Sequence, residues 1–236
     1  MRRVLAWFSA VVVTLGAATV PTVATAQTTR STTSFDTTCY IAAPSVAGLG
    51  GPMDITPQNP VRIHVSAPER VDVGETFDVT FEIDPINVSL ESLPGAISLQ
   101  RASRLKLDLQ RPAGTRLVDY SFSGGNIPVA DARVITVNEG GTPDPDGTVL
   151  RLTDSGHHTV GNGGNVSQRN HGGLAMDLRG ANALDFEFPR VTLTFEAERA
   201  GTADIGVRTQ GQAAGYGSNP ASFLTLLASA SVPVLS

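Results

Sequence analysis

Residues 77–84 read Phe-Asp-Val-Thr-Phe-Glu-Ile-Asp. Phe77, Val79, Phe81 and Ile83 fall on one face of an extended chain, and Asp78, Thr80, Glu82 and Asp84 on the other. Such alternation predicts a strand with one buried face and one wet face, the pattern of antiparallel sheets. The same period recurs in both directions. Val61, Ile63 and Val65 alternate with Arg62, His64 and Ser66, and Leu105, Leu107 and Leu109 with Arg104, Lys106, Asp108 and Gln110. Val118, Tyr120 and Phe122 alternate with Asp119 and Ser121, and Val191, Leu193, Phe195 and Ala197 with Thr192, Thr194 and Glu196. Segments 133–137, 148–152, 205–207 and 223–234 are further candidates. Turn formers separate the runs at Val73-Gly74-Glu75, Pro112-Ala113-Gly114, Gly124-Gly125-Asn126 and Pro143-Asp144-Pro145-Asp146-Gly147. No stretch holds an apolar stripe at helical spacing. The expected fold is all-β, an antiparallel Ig-like β-sandwich of about nine or ten strands.

Of the 236 residues 41% are hydrophobic and 17% charged, with mean hydropathy +0.03. That composition supports a sizeable core and excludes wholesale disorder. A net charge of −5 and a pI near 5.3 argue against a nucleic-acid partner. All of the 17 basic residues are arginine except Lys106.

Residues 1–26 read as an export signal. Arg2 and Arg3 form a positive start, an apolar run extends from Val4 to Val20, and Ala24-Thr25-Ala26 has the small-x-small form that predicts cleavage after Ala26. The Arg pair also leaves the twin-arginine route open, without its usual preceding Ser or Thr. The apolar run is short for a membrane span and no stop-transfer segment follows, so no transmembrane segment is expected in the mature chain. Cleavage removes both arginines, making the remainder more acidic, and removes Trp7, the only tryptophan. Residues 27–38 then form a Thr/Ser-rich leader expected to be flexible, and residues 39–236 the β-sandwich domain.

Cys39 is the only cysteine. It cannot form an internal disulfide, which leaves a buried inert thiol, an intermolecular bridge such as a homodimer through Cys39, or a catalytic thiol. Thr-Thr-Cys-Tyr-Ile offers no activating base, which disfavours the last.

One region breaks the alternation. Residues 153–182 are rich in Gly, Asn and His and read as an irregular loop. It carries His157, His158 and His171, bracketed by Asp154 and Asp177, ligand types that bind zinc-like metals when three or four converge. The spacing matches no compact zinc motif, and a solvated or pH-responsive loop uses the same residues. Two further patterns have ordinary readings. Asp144 and Asp146 before Gly147 resemble part of a calcium loop but lack its distal Glu, so a hairpin turn is favoured. Glu196 and Glu198, or Asp185 and Glu187, sit two apart and face one way, where a glycosidase needs carboxyls across a cleft. No nucleophile elbow or phosphate loop is present, and Ser155-Gly156-His157 is adjacency without a triad.

The segment from Ser66 to Thr80, Ser-Ala-Pro-Glu-Arg-Val-Asp-Val-Gly-Glu-Thr-Phe-Asp-Val-Thr, resembles the opening of bacterial Ig-like sandwich domains, which commonly carry AP-x-x-V-x-x-G-E-x-F-x-V. The whole layout resembles a group of actinobacterial exported proteins of unassigned function. Its parts are the signal, the Thr38-Cys39 start, this opening, and the Gly215-Tyr216-Gly217-Ser218-Asn219-Pro220 turn before a final strand. The resemblance implies an envelope or secreted β-sandwich, and it brings no catalytic residue with it. In that group the early cysteine often has a late partner, which this chain lacks. The scarcity of lysine fits a GC-rich genome.

These readings converge on an exported, non-enzymatic binding, adhesion or structural module, with no cofactor. Its partner would be an envelope component, protein or glycan, met by end loops such as 154–177 and 211–220, the latter offering Tyr216 as a contact. The alternatives are a carbohydrate-binding module, weakened by the loss of tryptophan, and a metal-dependent hydrolase built on His157, His158 and His171.

Overall fold

A computed structural model of the chain describes residues 11–16, 27–36, 39–41, 53–55, 59–89, 98–154, 173–181, 183–208 and 223–231. Regular structure among them is all strand. The strands are β1 (Val11–Gly16), β2 (Thr28–Phe35), β3 (Cys39–Ile41), β4 (Met53–Ile55), β5 (Val61–Pro68), β6 (Arg70–Asp72), β7 (Thr76–Ile83), β8 (Ile86–Ser89) and β9 (Ser98–Gln110). They continue as β10 (Thr115–Ser123), β11 (Ala132–Val137), β12 (Val149–Asp154), β13 (Leu174–Asp177), β14 (Ala183–Phe186), β15 (Arg190–Ala197), β16 (Gly201–Ile205) and β17 (Leu224–Ser231). Among the described residues no helix is long and apolar enough to cross a membrane.

Two sheets carry the architecture. One runs β10-β15-β7-β5-β2. The other runs β11-β12-β9-β13, with β17 also paired to β9. The long strand β9 is its spine: β12 pairs with residues 107–110 and β13 with 101–105, while β17 takes the opposite edge over 98–107. A positive φ of 57° at Arg104 marks a bulge in β9, where two of its residues oppose one of a neighbour. All pairings are antiparallel except β1 with β6.

The apolar rows meet in one sandwich-like core. Ile63, Val79, Phe81, Leu193 and Phe195 from the first sheet join Leu105, Leu107, Leu109, Leu150 and Leu152 from the second. Phe77 and Phe195 stack across β7 and β15 with ring centroids 5.8 Å apart. The outer face of the first sheet is wet, as its alternation predicts, and laced by Arg30–Glu82, Arg62–Asp84 and Arg190–Glu82 ion pairs.

Five expectations change. The strands number seventeen among the described residues, not nine or ten. The Thr/Ser-rich stretch is no leader: Thr28–Phe35 is edge strand β2, paired residue by residue with β5 from Thr28↔Pro68 to Phe35↔Val61. Threonine favours extended backbone, and an edge strand can be held by main-chain bonds without burying an apolar row. The stretch 153–182 is not irregular throughout, because Thr153 and Asp154 end β12 and Leu174–Asp177 forms β13. The apolar row of β10 is broken by a bulge between Leu117 and Asp119, which turns Val118 outward to 39% exposure. Finally, Val11–Gly16, within the stretch read as an export signal, is seated as β1, between β16 and β6.

Candidate functional site

The face of β9 carrying Lys106 and Asp108 was expected to be wet, and it is buried. Lys106, Asp108 and Arg151 are each 0% exposed. Sheet register explains how the charges meet. Arg151 on β12 lies directly opposite Asp108 on β9, and cross-strand neighbours on one face interact. Lys106 is two residues from Asp108 and so shares its face. The chain after β16 runs back along β9, where the Arg208 amide donates to the Asp108 carbonyl at 3.0 Å.

One carboxylate therefore gathers three cations. Lys106 Nζ donates to Asp108 Oδ2 at 2.6 Å, Arg151 Nε to Oδ1 at 2.7 Å, and an Arg151 terminal nitrogen to Oδ2 at 2.8 Å. Arg208 approaches Oδ2 at 3.4 Å and reaches the Glu139 carboxylate at 3.1 Å. Arg151 also donates to the Gly141 carbonyl at 2.9 Å, pinning the β11–β12 turn. Bidentate arginine–carboxylate pairs of this kind are directional as well as strong.

Burial pushes the Lys106 ammonium down from 10.5 to about 8, with the Asp108 carboxylate opposing the fall and Arg151 adding to it. The unfolded chain therefore holds this proton more tightly between pH 8 and 10.5 than the folded chain does. Lys106 is a full burden on stability below pH 8, and the burden lifts as pH climbs through that window. In Lys106→Met that alkaline gain is expected to vanish, read as the difference in urea midpoint between variant and parent from pH 7 to 10.5.

The cluster backs a cleft of about 530 Å³ where several turns meet. Its walls are the end of β9, the β9–β10 turn, the β11–β12 turn, the β15–β16 turn and the stretch from Thr202 to Arg208. Arg111 ties two of these turns together. Its amide donates to the Thr148 carbonyl at 2.8 Å, and its guanidinium to the carbonyls of Pro145 and Thr115, each at 3.2 Å. The Glu198 amide donates to the Gly114 carbonyl at 2.9 Å, joining a third. The Glu139 carboxylate accepts from both Arg208 and Thr148 and so links the cleft to the buried cluster. Arg199, Asp146 and Asp204 are exposed at its rim. The lining thus offers both signs of charge, threonine hydroxyls and carbonyls, and no aromatic ring among the described residues.

Of the sequence-derived candidates that the structure describes, neither Asp154 nor Asp177 lines this cleft. His157, His158, His171 and Tyr216 fall outside the described residues. Asp177 is engaged by Arg179 at 2.5–3.0 Å, and these hydrogen bonds hold its carboxyl down at about 2. Asp154 ends β12, opposite Ala132. Among the described residues no group of three or more His, Cys, Asp or Glu side chains is placed to hold a metal. Cys39 pairs through the backbone of β3 with Ile55 of β4. In the Asp/Pro turn, Asp144 Oδ1 accepts from the Asp146 amide at 3.0 Å and the Asp144 carbonyl from Gly147 at 3.0 Å, the bonding of an Asx turn. Glu196 and Glu198 both pair with Arg116.

The remaining histidine makes an array of its own. His64 Nε2 meets Asp84 Oδ1 at 2.9 Å and Nδ1 meets Thr32 Oγ1 at 2.8 Å. In the neutral ring Nε2–H donates to the carboxylate and Nδ1 accepts the hydroxyl. The connectivity is that of a hydrolase triad, yet it lies on the outer face of β2, β5 and β7, and the cleft does not take in these residues. It fastens edge strand β2 across its neighbours.

No family model, curated protein or solved structure matches the chain.

Proposed function

We propose that the protein is exported with removal of residues 1–26 and acts in the envelope or outside the cell as a non-enzymatic binding or adhesion module. Its contact region is the charged cleft at the turn end of the two sheets. The cleft is the observation that carries this reading. Its walls come from distant parts of the chain, are joined to one another through Arg111 and Gly114, and rest on the Asp108 cluster. Rigid sheets presenting fixed turns are a common way to build a binding surface.

The lining sets the ligand chemistry. Arg199 and Asp204 at the rim and Thr148 within offer charge-assisted and hydroxyl hydrogen bonds. Among the described residues the lining gives a neutral sugar ring no aromatic platform to stack on. A charged polymer or a polypeptide of the envelope suits the cleft better than a neutral glycan. The Ig-like assignment is part of the same proposal. It is supported by the segment 66–80, in which Gly74 turns the chain at φ 88° and Phe77 and Val79 enter the core.

The test is a screen of the exported protein against an array of charged and neutral envelope glycans and against envelope proteins. Saturable retention of a charged component, recovered chemically unchanged, is expected. Turnover of the retained component, or a preference for neutral sugars, contradicts the reading.

A further inference from the structure

Strand β1 is the middle strand of its sheet. It pairs antiparallel with β16 from Val11↔Ile205 to Leu15↔Gly201, and parallel with β6 from Thr14↔Arg70 to Gly16↔Asp72. Among the described residues it is the only ladder partner that β16 and β6 have in that sheet. Val71 on β6 and Ala203 and Ile205 on β16 are buried core residues. Yet Val11–Gly16 lies within the stretch whose removal the export reading requires. A cut after Ala26 falls between β1 and β2 and leaves β2 whole.

The geometry points to a strand-accepting slot between β6 and β16, filled in the precursor by its own apolar strand and in the mature protein by an extended apolar segment of a partner polypeptide. The proposal rests on the export reading. Without β1, two strands face one another across a gap of two strand spacings, about 9.6 Å, each with main-chain donors and acceptors turned inward. One extended segment satisfies both edges at once, which is how strand addition gains affinity from the backbone and selectivity from alternate side chains. The chemistry of the occupant is written in the segment seated there, Val-Val-Val-Thr-Leu-Gly: β-branched, uncharged and free of proline. A glycan or nucleic acid offers no such ladder. A polypeptide does.

The experiment uses the full chain with a protease site replacing residues 20–26 and, as probe, a labelled peptide with the sequence of residues 9–18. Before cutting, no uptake is expected. After cutting, the expected result is one probe per chain, with the Val13→Pro peptide binding at least tenfold more weakly because proline removes a ladder donor. Retention of the cut strand through gel filtration supports the slot equally, as does a cut chain that unfolds on losing the strand and refolds with the probe. A cut chain that sheds residues 1–26, keeps its sheet circular dichroism and takes up no probe overturns it, and so does an unfolded one that the probe does not rescue. The cleavage that this proposal rests on fails separately: it is overturned if protein recovered outside the producing cell keeps residues 11–16 rather than beginning at Gln27.

Discussion

Asp108→Asn is expected to lower the free energy of unfolding by roughly 3–5 kcal/mol, the range found when one partner of a buried ion pair is removed. The side chain keeps its size, so packing is nearly preserved and the loss is electrostatic. Lys106 and Arg151, both 0% exposed, would lose their shared carboxylate in a site closed to water. Glu139 cannot substitute for it, because it reaches Arg208 from the cleft side and is itself half exposed. Urea unfolding at pH 7 measures the effect. A companion variant separates electrostatics from a general intolerance of substitution. Replacing Lys106, Asp108 and Arg151 together by Met, Leu and Met removes the fully buried charges and leaves Arg208 paired with Glu139, and most of the lost stability should return. A cost under about 1 kcal/mol for Asp108→Asn would show that the cluster is not coupled as the geometry implies.

Gly147→Ala is the second large effect. A Cβ at this position would stand 2.2 Å from the Val137 carbonyl oxygen and 2.4 Å from its carbon. Both are backbone atoms of β11, the strand that leads into the same turn, so neither can move aside as a side-chain end does. Overpacking of this kind costs about 1–3 kcal/mol, and the backbone identity of the clash places Gly147→Ala at the upper end. The turn also forms a wall of the cleft, held there by Arg111. A lower melting temperature together with weaker ligand retention is therefore expected. Gly74→Ala makes the contrast: nothing lies within 4 Å of its Cβ, and its cost comes from a φ of 88° alone. If Gly147→Ala melts with the parent, the close approach of the two turn arms is wrong.

Much of the fold could be read from alternation, and the failures have physical causes. β5, β7 and β15 announce themselves because every second residue of 61–66, 76–83 and 190–197 is apolar and the others are Thr, Ser, His, Glu, Asp or Arg. β2 gives no such sign: Thr-Thr-Arg-Ser-Thr-Thr-Ser is polar on both faces, and its place at an edge is fixed by main-chain bonds and by contacts such as Thr29–Glu69 and Arg30–Glu82. The bulge that exposes Val118 depends on pairing with β15, which lies more than 70 residues away. β9 is the most instructive case. Its alternation of leucine with Arg104, Lys106 and Asp108 correctly separates two faces, but polarity does not say that the polar face meets water. Only the register that sets Arg151 against Asp108 does. The clue in the sequence was charge set inside dense apolar strands, Leu-Lys-Leu-Asp-Leu and Val-Leu-Arg-Leu. The lone lysine, which composition alone ties to codon usage, sits in that cluster.

The turns at 112–114 and 143–147 were legible, but the cleft they help to form was not. Arg111, Glu139, Arg199, Asp204 and Arg208 belong to no motif, and the topology alone brings their turns together. Its dependence on the buried cluster also links stability with function, since Glu139 takes part in both. Loss of Asp108 should therefore loosen the cleft as well as the core.

The most direct test of the binding role is a comparison of Arg199→Glu and Asp204→Arg with the parent protein against whichever envelope component the screen retains. Both side chains are exposed at the rim, so the melting temperature should stay within a degree or two of the parent. A tenfold change in affinity corresponds to about 1.4 kcal/mol, within reach of one charge-assisted contact. The predicted result is at least a tenfold loss of affinity in one or both variants with stability unchanged. Equal affinity in all three proteins would place the binding surface somewhere other than this cleft.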